Sequence, residues 1–541
     1  MPINIQTIVY ETISKGGYIM DLIGNRTLCS VLRESAEQQP EKSFLHFEDQ
    51  IGILFEKNYG DFFQEVLRFS NALLKLGIKK GDHVVLHLPN NMEFFTAWFA
   101  LAEIGGIMVP TNILSPADEM KYMITHSEAV LVITEEAYIE KFVSIKCETP
   151  TIQNIIITRH QGKLEGVLNF NELIKNESVN NSHFPTVLSE DIVALLYTSG
   201  TTSKPKGVQL THANYIFTGE LMARTIALTP EDRTFIVLPL FHGNAQYYST
   251  MSAIMVGASI AVTEKFSASR YFKQAKTLGG TVGSLFAAPI RMILAKDYDE
   301  DLRDNPLRLV LFAQAVAEHQ LMQFEEQFDV KLLQLYGMTE TVGIPLINPL
   351  FGKRKNMSIG RPSIGYEVQL VDEHGLPVRQ GKVGQIAVKG IPGRTLMKGY
   401  FKNEQATNDI LKDNWLLTGD NARIDEEGYF YFVDRLKDMI KRSGENIAAH
   451  EVEGVLAKHP AVFEAAVIGI PDEMRDEAIK AYVILQAGAT VSEEALIEHC
   501  RERLAKFKVP DRIEFMTDFP RTAVGKIQKH VLRNSYLMTK N

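Results

Sequence analysis

Apolar, β-branched runs alternate with stretches of helical period from residue 59 to residue 328 of this chain, and that alternation restricts the fold more than any other feature. The runs fall at residues 83–88, 129–134, 152–158, 235–238, 259–263 and 309–312. Between them, residues 59–76 and 315–328 carry apolar positions at helical spacing. Strand and helix in alternation predict an α/β fold with layered, largely parallel sheets. From about residue 360 the texture changes: 367–371, 383–389 and 428–432 are short strands joined through glycine-rich turns. An antiparallel, β-barrel-like part over about 360–434 is expected there. Past Asp434-Arg435-Leu436-Lys437-Asp438 the pattern resets to a small α+β unit. Its elements are a helix at 451–458, strands at 464–470 and 478–485, a helix at 492–504 and a strand at 512–515. Ser492 caps the second helix, with Glu493 and Glu494 in its first turn. A chain of 541 residues exceeds one hydrophobic core. It is read as a large domain over 1–434 and a small mobile domain over 435–541.

Composition excludes several function classes. The 57 basic and 66 acidic side chains give a net charge of −9, spread along the chain, so nucleic acid is not an expected partner. Cys29, Cys147 and Cys500 show no metal-ligand or disulfide spacing, which fits a reducing, cytoplasmic setting. The N-terminal turns carry Glu11, Lys15 and Asp21 and show no signal-peptide core. The most apolar stretch, 94–110, is broken by Glu103 and Gly105-Gly106. It reads as a buried helix entering a strand, and no integral membrane segment is expected.

The densest chemical motif is Thr198-Ser199-Gly200-Thr201-Thr202-Ser203-Lys204-Pro205-Lys206-Gly207, directly after the apolar run 192–196. Hydroxyls and glycine-exposed N–H groups suit phosphate oxygens, and lysine supplies the opposing charge. A kinase-type phosphate loop is excluded, because Pro205 stands for its second glycine and Gly207 for its Ser or Thr. Taken alone, the motif also fits a Ser/Thr-rich surface loop. A second cluster, Gln334-Leu335-Tyr336-Gly337-Met338-Thr339-Glu340-Thr341, follows a strand at 331–335, at the edge where open α/β sheets bind ligands. There Tyr336 can stack on a base, Thr339 can bond a phosphate and Glu340 can hold a hard cation, although the segment alone is more simply an ordinary strand-to-helix turn with a capping threonine. Further segments are Thr418-Gly419-Asp420, Asp434-Arg435, Phe241-His242-Gly243 and Gly525-Lys526-Ile527. Singly, each is more often a turn residue, a surface ion pair, a solvated lysine or, for His242, a packed core or turn histidine.

Together and in this order, from about Leu28 to Leu532, these segments resemble the adenylate-forming superfamily of acyl- and aryl-CoA synthetases, luciferases and peptide-synthetase adenylation domains. The crotonobetaine/carnitine–CoA ligase branch is the most similar, through Ser203, the segments 439–446 and 475–481, and Ala505-Lys506-Phe507-Lys508-Val509-Pro510. The resemblance implies an ATP-dependent acid–CoA ligase with ATP, Mg²⁺ and coenzyme A. Carboxylate and ATP would give acyl-AMP and pyrophosphate, and CoA would then give acyl-CoA and AMP. It assigns the β- and γ-phosphates to Thr198, Ser199, Gly200, Thr201, Thr202 and Lys206. Tyr336 would lie against adenine, Gly337 would belong to the same nucleotide site, Thr339 would meet the α-phosphate, and Glu340 with Thr198 would ligate Mg²⁺. Asp420 and Arg435 would hold the ribose. Lys526 would bridge the acid's carboxylate and the α-phosphate, Thr339 and Glu340 would share the catalytic site, and His242, with Phe241, would gate or orient beside the acyl pocket. Lys437 would be the hinge, and Lys441, Ser443, Gly444 and Glu445 would serve the CoA step. Ala449, in place of a proline common in relatives, implies altered loop rigidity. The segment 312–317 lacks the glycine pair usual at the adenine pocket.

The acid itself stays open at this level. Segments 241–248, 284–289 and 341–345 are the pocket candidates. Tyr247, Tyr248 and Phe286 suit a quaternary ammonium, as in carnitine-like acids, or a plain apolar slot for a medium- or long-chain fatty acid or an aryl acid. An enzyme loading a carrier protein, or an inactive nucleotide-binding scaffold, are the rival readings.

Overall fold

The apolar runs become the parallel strands of two large sheets. This computed structural model describes residues 21–162, 164–198, 204–297, 299–435, 438–442, 445–472, 474–521 and 527–540. One sheet has nine strands and the other eight. In the nine-stranded sheet Ser43–Glu48, Ser259–Thr263, Arg233–Ile236, Val282–Phe286, Leu309–Ala313 and Lys331–Tyr336 lie side by side and parallel. Antiparallel strands finish both of its edges. In the eight-stranded sheet Ile192–Thr198 lies parallel to Ile107–Pro110, and Lys206–Thr211 folds back antiparallel on it. These strands read as continuous hydrophobic runs because helices cover both faces of a parallel sheet.

The stretch 94–110 forms the buried helix Met92–Ile104 followed by the strand Ile107–Pro110. Asn91 caps the helix start by accepting from the Phe94 N–H at 2.8 Å. Gly105, in the left-handed conformation at φ 71°, ends it. Residues 315–317 do not join the helix expected at 315–328, which begins at Glu318. The chain leaves its strand through Gln314 at φ 76°, and Ala317 is still extended.

Four antiparallel pairings, Glu367–Val371 with Gly384–Lys389, Gly384–Lys389 with Trp415–Ile424, and Trp415–Ile424 with both Leu411–Lys412 and Phe430–Arg435, build the five-stranded sheet of the third part. The C-terminal part has its own sheet, in which Val462–Asp472 and Asp476–Leu485 form a long hairpin. Helices Ala449–Leu456 and Glu493–Arg501 pack on it around Val467, Ile479, Leu496 and Cys500. Ser492 caps the second helix by accepting from the Ala495 N–H at 3.2 Å. A last helix, Lys529–Lys540, covers the other face, with Leu532 against Ile468 and Tyr482. Among the described residues no helix is long and apolar enough to cross a membrane.

Candidate active site

Parallel sheets place their loops at the C-terminal ends of strands, and two such ends meet here. Thr198 ends one strand and Tyr336 ends another. The return strand Lys206–Thr211 puts Lys206 directly opposite Thr198 in register. The segment 199–203, with Ser199, Gly200, Thr201 and Thr202, lies outside the described residues, as do Lys437, Ser443, Gly444 and Lys526 and the side chain of Glu445.

Glu340 is the centre of the first group. Its carboxylate accepts from the Tyr400 hydroxyl at 2.8 Å and from the Thr198 hydroxyl at 3.5 Å. The Lys206 ammonium lies 4.8 Å from the centre of the Tyr400 ring. Burial pushes the Glu340 carboxyl above the usual carboxylate range, opposed by the Tyr400 hydroxyl, its own backbone N–H, Arg435 and Lys206. Its backbone carbonyl accepts from the Met397 N–H at 3.1 Å, which ties it to the segment carrying Tyr400. The sequence reading missed Tyr400, which reaches the site only because Gly399–Tyr400 pairs with Val208 and Gln209.

Asp420 is the centre of the second group. Its Oδ2 accepts from the Tyr336 hydroxyl at 2.7 Å, and its Oδ1 meets Arg435 Nε at 3.2 Å. Asp420 and Arg435 are cross-strand partners on adjacent antiparallel strands. Tyr336 is buried, and its hydroxyl pKa is raised by that burial and by the Asp420 charge. A carboxylate offers about four lone-pair directions. Two remain on Asp420 for further donors once Tyr336 and Arg435 are counted.

The loop linking the two groups is tightly determined. A Cβ on Gly337 would lie 2.5 Å from the Gly343 carbonyl oxygen, so only glycine fits. Tyr366 donates to the Thr341 carbonyl at 2.7 Å and accepts from the Gly343 N–H at 3.0 Å. Val342, between them, is held at φ 67°, a region that β-branched residues rarely adopt. Strain of this kind persists only where the surroundings over-determine it, and here it fixes Thr339 and Glu340. Thr339 is half-buried on this loop, its carbonyl accepting from the Val342 N–H at 3.1 Å.

The three candidate pocket segments lie near one another. Asn244 donates to Ser284 at 2.9 Å, and the Tyr248 hydroxyl and the Gly343 carbonyl both lie against Gly337. His242 stacks obliquely on Phe241 with ring centres 4.2 Å apart. It precedes a π-helix, Asn244–Met251, a feature frequent at functional sites and invisible to helical periodicity. Tyr247 and Tyr248 project from this helix and are buried, and Tyr247 packs edge-on to Tyr215. Lys441, by contrast, is exposed on the hairpin strand Ile440–Arg442, where its N–H donates to Glu477 at 2.7 Å. Among the described residues no hydrogen bond or ion pair joins it to Glu340 or Asp420. Its neighbour Arg442 is turned inward, onto Asp511 at 2.7 Å and the carbonyls of Phe507 and Val509.

The chain matches the AMP-binding enzyme family over residues 32–401 and the AMP-binding enzyme C-terminal domain over residues 451–526. A crotonobetaine/carnitine–CoA ligase of Proteus mirabilis is 41% identical over 519 residues, covering 95% of this chain and all of that one. Among solved structures, the anthranilate CoA ligase AuaEII in complex with anthranoyl-AMP has a TM-score of 0.87 at 29% identity, covering 95% of this chain and 98% of the other. MatB from Rhodopseudomonas palustris, 25% identical, has a TM-score of 0.84 in its ATP-bound form, with 94% of this chain and 99% of that one covered. Its apo form has a TM-score of 0.73, covering 95% and 100%. The chain therefore belongs to the AMP-binding enzyme family. It is an AMP-forming acid–CoA ligase, for which ATP and CoA are co-substrates.

Proposed function

We propose that the two groups form one adenylating site, with ATP lying between Glu340 and Asp420 along the ends of the two strands. The observation that carries this reading is the convergence of Thr198, Lys206, Glu340, Tyr336, Asp420 and Arg435 from three separate sheets. Asp420 takes the ribose hydroxyls on its remaining lone pairs, with Arg435 and Tyr336 fixing its orientation. Lys206 and the hydroxyl loop neutralise the β- and γ-phosphates. Thr339 meets the α-phosphate, and Lys526, from the small domain over 435–541, bridges it to the acid's carboxylate. A carboxylate oxygen then attacks the α-phosphorus and pyrophosphate leaves. Without the lysine the two anions repel each other at the moment they must approach.

Mg²⁺ fits these residues. Glu340 and Thr198 offer one carboxylate and one hydroxyl, and among the described residues no cluster of three or more acidic, His or Cys side chains forms a closed cage. A cation that keeps waters and takes phosphate oxygens needs no more from the protein. When bound it supplies charge neutralisation at the leaving phosphates.

In the second step the CoA sulfur attacks the acyl carbon and AMP leaves, with the face of Lys441, Ser443, Gly444 and Glu445 turned to the site by rotation about Lys437. The greater likeness to the ATP-bound than to the apo form of MatB supports an orientation suited to the first step. Free thiols at Cys29, Cys147 and Cys500 fit a cytoplasmic enzyme. For the acid, full-length likeness to a crotonobetaine/carnitine–CoA ligase and the buried tyrosines at 247 and 248 favour a betaine-type carboxylate, whose ammonium meets aromatic faces.

Pyrophosphate exchange across a panel of crotonobetaine, carnitine, fatty acids and aryl acids, followed by thioester formation with free CoA, tests the whole reading. Exchange confined to fatty or aryl acids rejects the betaine substrate, and adenylation without thioester formation points to a carrier-protein acceptor. Lys526→Ala should abolish exchange yet spare thioester formation from supplied acyl-adenylate. Equal loss of both rejects separate working faces.

A further inference from the structure

Two ionic groups, the second of them next to Arg435, join the C-terminal part to the rest of the molecule. In the first, Glu464 of the strand Val462–Asp472 pairs with Arg291 of the helix Ala287–Leu294 at 2.5 Å. The other oxygen of Glu464 pairs with Arg521, which also reaches Asp518 at 3.2 Å. The Arg291, Glu464 and Arg521 side chains are only 14%, 10% and 21% exposed. In the second, Lys529 pairs with Glu453 at 2.7 Å, both side chains 16% exposed. Lys529 also lies within electrostatic reach of the buried Asp434 carboxylate. Asp434 belongs to the strand Phe430–Arg435, beside Arg435, yet its Oδ2 accepts from the His450 N–H at 3.1 Å. It thereby caps the helix Ala449–Leu456, whose own N-cap Ala448 has no side chain able to do so. Arg533, one turn beyond Lys529, pairs with Asp438 at 2.9 Å.

The two groups bracket one segment. Arg521 precedes Lys526 and Lys529 follows it, Arg521 and Ile527 form an antiparallel bridge, and the Gln528 N–H donates to the Pro520 carbonyl at 2.7 Å. Each group holds one member from the large domain, Arg291 in the first and Asp434 in the second. Rotation of the small domain about Lys437 must break the Arg291–Glu464 pair and the His450 N–H to Asp434 hydrogen bond and leave charges to be rehydrated, whereas Lys529–Glu453 and Arg533–Asp438 travel intact. Separating one partner of a buried pair is costly because the other stays behind unpaired.

We propose that Arg291–Glu464–Arg521, and Asp434 on the His450 N–H beside the Lys529–Glu453 pair, are paired clamps that hold the described residues flanking Lys526, and with them the small domain, for adenylation, with Glu464 and Lys529 as positioning residues. The inference rests on the adenylating role given above to Lys526. It also means that part of the energy holding the first working orientation is stored in polar contacts between side chains to which the reading above gives no contact with substrate.

The experiment compares Arg291→Met, Glu464→Gln, Lys529→Met and Lys529→Arg in the full chain. Arg291→Met and Lys529→Met should each lower pyrophosphate exchange about tenfold or more, with thioester formation from supplied acyl-adenylate within twofold of wild type. Lys529→Arg should recover most of the exchange, since it restores charge and reach. Exchange within twofold of wild type in both Met variants overturns the clamps, and so does an equal fall of the two half-reactions. Orientation is read separately from spin labels at Leu376→Cys and Met474→Cys, both exposed, in a Cys147→Ser background. One narrow distance population in the parent should broaden in the Met variants, and an unchanged distribution rejects the proposal. Absence of exchange in the parent with every acid would defeat the proposed reaction, while the label distances would still decide the clamps.

Discussion

Glu340 sits where a carboxylate is costly, and the cost has a definite sign. Its folded pKa is raised above the unfolded value by burial, so the protonated form favours the folded chain. Stability from this group is full below the unfolded pKa and is lost as pH rises through the folded pKa. Glu340→Gln should therefore melt higher than wild type at neutral pH, and the difference should vanish toward pH 4. A thermal melt series across that range checks it, and a Gln variant less stable at pH 7 would contradict the sign. The same substitution should lower pyrophosphate exchange by about 10²–10³, the usual loss for removing one charge-stabilising group. Asp420 carries a separate expectation. Asp420→Ala should raise the KM for ATP by about tenfold or more and remove the preference for ATP over its 2′-deoxy analogue, because a hydrogen-bonding site rejects a substrate lacking its partner. Retained discrimination would move the ribose elsewhere. At this scale Thr198, Lys206, Glu340, Asp420 and Arg435 were legible because hydroxyl, cation and carboxylate stand in short local motifs. Tyr400 was not, since nothing in Lys398-Gly399-Tyr400 announces the strand partner that brings it to Glu340.

Elements position these side chains through backbone contacts that tolerate little change. Gly337→Ala drives a methyl group to 2.5 Å from the Gly343 carbonyl, against backbone that Tyr366 holds in place. It should cost about 1–3 kcal/mol and reduce exchange more than it lowers the melting temperature, since the displaced loop carries Thr339 and Glu340. Melting and exchange measured on the same preparation check this, and normal exchange would mean the loop does not set the site. Strands at 259–263, 309–313 and 367–371 were readable because buried parallel or half-buried antiparallel strands write apolar content directly into sequence. The return strand Lys206–Thr211 was not, because its first residues are polar and its partner precedes a loop. The π-helix Asn244–Met251 escaped for another reason: eight residues at an i to i+5 spacing leave no period to detect.

At the scale of the whole molecule, a reset of pattern after Asp434 was legible, but the contacts that cross it were not. Arg291 and Glu464 lie 173 positions apart, and nothing local marks either as the other's partner. The passage between the two parts is short: the N–H groups of Asp438 and Met439 both donate to the Arg435 carbonyl, at 2.9 and 3.1 Å. On the proposed hinge at Lys437, rotation has to part these two hydrogen bonds while Arg435 keeps its place on Asp420. Proline at 437 would fix φ near −65° and disfavour helical geometry in the residue before it. Lys437→Pro should therefore trap one orientation. Pyrophosphate exchange should persist within about threefold of wild type, while thioester formation and overall turnover fall by about tenfold or more, since many such cycles are limited by the domain step. Burst-phase measurement should then find acyl-adenylate accumulating on the enzyme. Full turnover in this variant would place the hinge elsewhere. Loss of exchange with thioester formation preserved would mean that proline selects the opposite orientation, with the clamps at Glu464 and Lys529 already released.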